Sequence, residues 1–324
     1  MSGPRVLRVD PVAPAEGALA GAAEVLRNGG LVAFPTETVY GLGADACLAR
    51  AVESIFAAKG RPADNPLIVH VGSLEAASGI AAEVSPLAVA LAKRWWPGPM
   101  TLVLKADPAL PAVTTGGLAT VAIRVPAHPV ALALLRAAGV PLAAPSANRS
   151  GRPSPTTAQH VLDDLGDAVD LIVDGGECTL GVESTVVDTR GDLPIMLREG
   201  SVTREMLGID GPSPDAELGA SPGTRYRHYA PACEVVIAPT GDGAALATAL
   251  ASGGRTVGFV GFAPALPPVT TIAVVRDAYH LAQRLYSSLR DAERIGVDVV
   301  VVEAVAETGI GRAVMDRLRR AAAG

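Results

Sequence analysis

The sequence predicts an α/β protein of two domains. The first is a mixed, twisted sheet flanked by helices around a polar cavity, and the second is a small parallel α/β domain. Three observations predict this. A chain of 324 residues is too long for one average domain and suits two. Apolar runs of strand length interleave with helical patterns, with surplus strands early in the chain and regular alternation late in it. Between these regions, residues 208–232 change character, with Gly, Pro, Ser and Asp dominating up to Pro222-Gly223. The resulting boundaries are a first domain over 15–207, a linker over 208–232 and a second domain over 233–324.

Taken in order, residues 15–28 carry an Ala/Leu/Val helical pattern that stops at Gly29-Gly30. Leu31–Phe34 is an apolar run ended by Pro35, which reads as a buried strand. Thr36, Glu37 and Thr38 then emerge at the strand's end, where open α/β sheets bind ligands. A helix follows near 48–58, and Leu67–Val71 is strand-like. Ser85-Pro86 is a cap and first-turn pair opening a helix near 86–95. Thr101–Lys105 and Thr120–Val125 read as strands, 129–138 as a helix, and 141–144 as a strand that breaks at Pro145. Helix 157–165 precedes three strands at Leu171–Val173, Ser184–Asp188 and Ile195–Leu197. Past the linker the pattern is β 234–238, α 242–253, β 256–260, β 270–275, α 277–294, β Val297–Val301 and α 310–322. That alternation implies a parallel sheet.

Composition narrows the function. The chain is 49 % hydrophobic but 3 % aromatic, so Ala, Val and Leu fill the core. Formal net charge is −6, with three lysines, Lys59, Lys93 and Lys105. This balance argues against a broad nucleic-acid or anionic-membrane surface, which needs clustered basic residues. No long uncharged apolar run reads as a membrane span, and the N-terminus lacks the apolar core of a signal peptide. Cys47, Cys178 and Cys233 are widely spaced, and neither they nor the five histidines form a metal-ligand pair. The expectation is a cytoplasmic protein without a protein-built metal site. A P-loop and a nucleophile elbow are both absent.

Several segments carry polar chemistry. Lys59 and Arg61 stand two residues apart at a helix end, in a loop stiffened by Pro62 and Pro66 that also holds Asn65. Such cations complement a helix dipole. In a chain with three lysines, their preorganisation points instead to an anionic phosphate. Thr120, Ala122 and Arg124 share one face of a strand. A buried Arg124 needs an anion, either a structural Asp or Glu or a ligand carboxylate. Ser146, Asn148 and Ser154 lie on a proline-rich loop after a strand end, Ser184 starts a strand, and Arg198 ends one. His70 sits inside an apolar strand, where a hydrogen-bonded core histidine is the default. Hydroxyls, amides and cations without a covalent nucleophile suit phosphoryl or nucleotidyl chemistry run by positioning and charge stabilisation.

These residues resemble the YrdC/Sua5 family. The resemblance rests on Pro35–Leu42, Lys59-Gly60-Arg61, Ser146-Ala147-Asn148 and Ser184-Thr185-Val186. The linker, with Ser221-Pro222-Gly223 and His228-Tyr229-Ala230-Pro231, and the C-terminal segment resemble the two-domain Sua5 form. The resemblance implies a YrdC-like catalytic domain and a small C-terminal Rossmann-like domain. It implies a threonylcarbamoyl-AMP synthase, joining L-threonine, bicarbonate or CO₂, and ATP to give threonylcarbamoyl-AMP and pyrophosphate. Mg²⁺ would arrive with ATP. A partner complex would pass the product to adenosine 37 of tRNA. Thr38, His70, Arg124, Ala144 and Ser184 match threonine positions in the family, and Arg61, Asn65, Thr120, Ser146, Ser154 and Arg198 match ATP positions. Lys59 and Asn148 belong to the KxR and SxN signatures and are also assigned to ATP, with Lys59 and Arg61 as the catalytic pair stabilising the leaving pyrophosphate. A linker tyrosine, Tyr226 or Tyr229, would reach the nucleotide and help close the site. Two other readings of the same fold are an RNA-binding or ribosome-maturation protein and a carbamoyltransferase domain of hydrogenase maturation. The acidic balance counts against the first, and the lack of zinc-finger cysteine spacing against the second.

Overall fold

The computed structural model describes residues 5–62, 64–209 and 229–323. They fall into two units. Among the described residues, the first comprises 5–150, 155–179 and 183–209, and the second 151–154, 180–182 and 229–323.

The first unit runs β1 (Arg5–Arg8), α1 (Ala20–Arg27), β2 (Val32–Phe34), β3 (Gly41–Asp45), α2 (Ala49–Lys59) and β4 (Ile68–His70). It continues with α3 (Leu74–Ala77), β5 (Ala81–Glu83), α4 (Pro86–Trp95), β6 (Met100–Ala106), α5 (Ala112–Thr115), β7 (Thr120–Arg124) and α6 (Pro129–Ala138). It ends with β8 (Leu142–Ala143), α7 (Ala158–Leu165), β9 (Leu171–Asp174), β10 (Thr185–Asp188), β11 (Ile195–Arg198) and α8 (Arg204–Leu207). The sheet order is β1-β9-β2-β3-β8-β4-β7-β6-β10-β11, with β5 paired to β6. Parallel pairs (β4 with β7, β6 with β10) occur beside antiparallel ones (β3 with β8, β6 with β7), so the sheet is mixed.

Local sequence explains the elements that frame the site. Ser85 caps α4 by accepting from the Ala88 N–H at 3.0 Å, with Pro86 in the first turn. The buried stripe of α2 is Ala51, Val52, Ile55, Phe56 and Lys59, which draws the lysine inward with its apolar neighbours. Gly60 then ends the helix in the left-handed region, φ 60°, where a side chain is disfavoured. The connection 35–40 between β2 and β3 is buried throughout. The Thr36 hydroxyl organises it, donating to the Val39 carbonyl at 2.6 Å and accepting the Thr38 and Val39 N–H groups at 3.2 Å. Tyr40 anchors its end, with its N–H on the Pro155 carbonyl at 2.8 Å and its hydroxyl on the Gly176 carbonyl at 2.7 Å.

The second unit has β12 (Glu234–Ala238), α9 (Gly243–Ser252), β13 (Val257–Gly261), β14 (Thr270–Val274), α10 (Ala278–Ile295), β15 (Val299–Glu303) and α11 (Ile310–Ala322). Its four strands are all parallel, in the order β12-β15-β13-β14. The Glu303 carboxylate, at the carboxyl end of the central β15, is 5 % exposed. It accepts the N–H groups of Gly241, Gly243 and Phe262 at 3.2, 3.1 and 2.8 Å. In sheets of this kind ligands gather outside the carboxyl ends of the strands. Here an internal anion holds those amides.

The last strand differs from the sequence expectation, Val299–Glu303 against Val297–Val301. Asp298 explains the shift. Its carboxylate accepts the Thr256 N–H and hydroxyl at 2.8 and 2.7 Å, so it closes the turn before the strand begins. The first helix also starts later than expected, at Ala20, and β1, at residues 5–8, pairs in parallel with β9 ahead of the predicted start at 15. No helix among the described residues is long and apolar enough to cross a membrane.

Candidate functional site

Strand register assembles one functional face. β4 and β7 pair Ile68 with Ala122 and His70 with Arg124, and β6 sets Val103 opposite Ala122. β10 sets Val186 beside Thr101. Ile68, Val103, Ala122 and Val186 pack as a small apolar floor. The two-residue period puts His70, Arg124, Thr101 and Ser184 on the same face at one end. Thr120 lies at the other end of β7, about 13 Å from Arg124 along the strand.

Arg124 is the hub. It is 3 % exposed, and its Nε and Nη1 donate to the Gly98 carbonyl at 3.1 Å and the Thr38 hydroxyl at 2.9 Å. Those bonds fix the guanidinium plane. Its Nη2 lies 2.6 Å from Glu37 Oε1, an ion pair without hydrogen-bond alignment. The structural-carboxylate reading of Arg124 therefore describes this state, and the carboxylate is Glu37. His70, beside Arg124 in register, has its pKa pulled from 6.5 to about 3 by burial and then by the Arg124 charge, so the imidazole is neutral. Its Nδ1 has no hydrogen-bond partner among the described residues. Ser184 exchanges a hydrogen bond with Thr101 at 2.7 Å. Arg198 joins it, donating from Nε to the Ser184 carbonyl at 3.0 Å and from Nη2 to the Ser184 hydroxyl at 3.1 Å. Ala144 donates its N–H to the Ile68 carbonyl at 2.9 Å, next to the apolar floor.

A second cluster forms where α2 ends. Lys59, 3 % exposed, donates from Nζ to the Ser146 carbonyl at 2.5 Å and to the Asn148 carbonyl. The Ser146 hydroxyl donates to Asn148 Oδ1 at 2.5 Å, and the Asn148 amide donates to the Arg149 carbonyl at 2.8 Å. Arg61 Nη2 donates to the Pro66 carbonyl at 3.2 Å and lies 3.4 Å from the Asn65 carbonyl. Burial, and next the Arg61 charge, holds the Lys59 pKa well below the usual lysine value. As an ammonium it keeps one N–H beyond the two carbonyls. The KxR and SxN signatures thus meet in three dimensions through Lys59.

Two model matches decide the family. The Sua5/YciO/YrdC family model, described as "Telomere recombination", matches residues 24–200, and the model of the threonylcarbamoyl-AMP synthase C-terminal domain matches 196–323. The chain belongs to the Sua5/YrdC family. The threonylcarbamoyl-AMP synthase of Pyrococcus abyssi is 44 % identical over 317 residues, covering 93 % of this chain and 92 % of that protein. The Bacillus subtilis protein of the same name is 43 % identical over 323 residues, covering 94 % and 93 %. A crystal structure of P. abyssi Sua5 complexed with L-threonine superposes with a TM-score of 0.90 at 43 % identity, covering 98 % of this chain and 97 % of that one.

In this Sua5-family chain, Thr38, His70, Arg124 and Ser184 line one end of the sheet face, and Lys59, Arg61, Asn65, Ser146 and Asn148 surround the end of α2. Arg198, expected on the ATP side, bonds Ser184 from the threonine side, so the two expected sets touch there. Ser154 and Tyr229 fall in the second unit, where the Tyr229 ring packs on Tyr286 with centroids 5.3 Å apart. Tyr226 lies outside the described residues. Sequence reasoning left Glu37 unassigned and passed over Thr101. The signal for Glu37 was present, because a buried arginine requires an anion and Glu37 stands next to Thr38 in the same polar turn.

Proposed function

We propose that this chain makes threonylcarbamoyl-AMP and pyrophosphate from L-threonine, bicarbonate and ATP, as a nucleotidyltransferase acting in the first step of tRNA threonylcarbamoyladenosine formation. The observation that carries this reading is Arg124, a buried guanidinium held in plane by Gly98 and Thr38 with one edge turned to a carboxylate. An α-amino acid carboxylate fits that edge. The relative solved with L-threonine supports the choice of amino acid.

In this mechanism the threonine amine attacks the bicarbonate carbon, and a C–O bond breaks with loss of water to leave a carbamate. A carbamate oxygen then attacks the α-phosphate of ATP, which brings Mg²⁺ with it as part of the substrate. Lys59 and Arg61 face the leaving pyrophosphate. The Lys59 bonds to the Ser146 and Asn148 carbonyls hold the phosphate side in one arrangement before substrate arrives. Thr120, Ser154 and the linker tyrosines are assigned to ATP by family resemblance. The product passes to a transferase acting on tRNA, which places this step in the cytoplasm. The deciding assay is pyrophosphate release from ATP. Release that requires both threonine and bicarbonate is expected, and release that depends on neither refutes the reading.

A further inference from the structure

We propose that Glu37 is the group that receives the α-ammonium of the amino-acid substrate and takes its proton when the amine is carboxylated. The proposal rests on the amino-acid reading of the Arg124 site.

Glu37 is 7 % exposed and Arg124 is 3 % exposed, so both charges are withdrawn from water. Neither Glu37 oxygen accepts a hydrogen bond among the described residues, and Arg124 Nη2 donates none. Their 2.6 Å contact neutralises charge but leaves the directional bonding of both groups unspent. Buried ions in that condition are poorly compensated, because desolvation is offset only when hydrogen bonds accompany the Coulomb attraction. The Nε N–H and one Nη1 N–H of Arg124 are already committed, to Gly98 and Thr38. What remains open is one cationic donor edge and one carboxylate, side by side.

An amino-acid zwitterion carries the complementary pair two bonds apart. Its carboxylate would take Nη2, and its ammonium would take the Glu37 oxygens. The cluster stays neutral throughout, since a neutral zwitterion enters a neutral ion pair. A plain carboxylic acid would instead displace Glu37 and strand it as a buried anion. His70 Nδ1, also without a hydrogen-bond partner among the described residues, is left for the side-chain hydroxyl.

Proton bookkeeping closes on the same residue. The α-ammonium, bicarbonate and the Glu37 carboxylate give the N-carboxylated amine, one water and a protonated Glu37. The C–N bond forms as the C–O bond to the departing hydroxyl breaks. Of the two protons that nitrogen gives up, one goes to Glu37 Oε and the other to that hydroxyl, which leaves as water. The groups facing Glu37 leave that role to it. Arg124 holds a permanent charge, and His128, at the start of α6, has its pKa lowered by burial against the pull of Glu37. Cys178 is buried, with its thiol pKa pushed up.

The test is isothermal titration of the full chain and of Glu37→Gln with L-threonine and with (R)-3-hydroxybutyrate, which keeps the carboxylate and hydroxyl but lacks the ammonium. Wild type should bind threonine at least about 30-fold more tightly than the hydroxy acid, the scale for leaving a buried charge unpaired. Glu37→Gln should lose about 30-fold or more for threonine while binding the hydroxy acid as tightly as wild type or more tightly, since no buried anion is then stranded. Equal losses for both, or a change under about 3-fold for threonine, would overturn the proposal. Should Glu37→Gln fail to fold, the wild-type comparison alone decides, because equal binding of the two ligands removes the ammonium contact. Wild type that binds no threonine at all instead overturns the amino-acid reading itself. For the proton, the turnover deficit of Glu37→Gln should shrink roughly tenfold per pH unit as pH rises toward the amine's own pKa and solvent does the deprotonation. A deficit constant with pH would leave Glu37 without that step and overturn this half of the proposal.

Discussion

Acidification should destabilise the first unit through His70. Its imidazole is 3 % exposed, and its pKa falls from 6.5 to about 3, first through burial and then through the Arg124 charge. The unfolded chain therefore binds a proton at this position between pH 6.5 and about 3, and the native chain does not. Stability rises with pH across that window and is lost as pH falls through it. One proton is worth about 1.4 kcal/mol per pH unit. Going from about pH 6.5 to about 4.5 then removes about 3 kcal/mol, and the whole window about 5 kcal/mol. Against a typical total of about 5–15 kcal/mol this is a large share.

Both tryptophans, Trp95 and Trp96, belong to the first unit, so their fluorescence during urea unfolding reports on the unit that holds His70. The comparison is wild type against His70→Asn at about pH 7.5 and about 4.5. His128, whose pKa is also lowered by burial, and the carboxylates are common to both proteins, so their contributions cancel in the difference. Wild type should lose about 3 kcal/mol more than the variant on acidification. Parallel pH dependences would refute the buried, neutral imidazole.

Three other expectations follow from named contacts. Arg124→Lys keeps the charge but cannot span Gly98, Thr38 and Glu37 together. It should raise the KM for threonine about tenfold or more while moving the KM for ATP about 3-fold or less, and equal shifts in steady-state assays would count against the carboxylate role. Lys59→Met leaves the Ser146 and Asn148 carbonyls without their donor, so thermal unfolding should show a loss of about 2–4 kcal/mol, and an unchanged Tm would contradict the contact. Glu303→Ala strips the acceptor from three backbone N–H groups. It should cost the second unit about 2–4 kcal/mol, read as faster amide exchange in α9 and β15, whereas unchanged protection would mean that the capping contributes nothing.

Long amphipathic elements with explicit stops were legible. The helices at 86–95, 129–138 and 310–322 have the expected bounds, the first two opened by proline in the first turn. Elements that depend on tertiary contact were not legible. β3, Gly41–Asp45, holds two glycines and has little intrinsic strand preference. It is a strand because it pairs with β2, and Gly43 is required there because a Cβ would stand 2.8 Å from the Phe34 ring. The four-residue helices at Leu74–Ala77, Ala112–Thr115 and Arg204–Leu207 are too short to show a period. The shift of β15 has the same origin, since a side-chain bond to Thr256 assigns Asp298 to the turn.

The site divides along the same line. Residue types at strand ends announce a polar face, but partner choice belongs to the fold. Nothing in the order of the chain says that Lys59 holds the loop carrying Ser146 and Asn148, or that Arg198 bonds Ser184. These contacts change what the cations mean. Lys59, Arg124 and Arg198 each spend donors on the protein itself, so their positions are set during folding and not by the ligand. A cation fixed in this way loses little freedom on meeting an anion, and its remaining donor edge decides which anion fits. The polar turn at 36–38 follows the same logic with the sign reversed. Thr36 closes the turn and Thr38 steadies Arg124, which leaves the Glu37 carboxylate as the one side chain of the three with no hydrogen bond to the protein among the described residues.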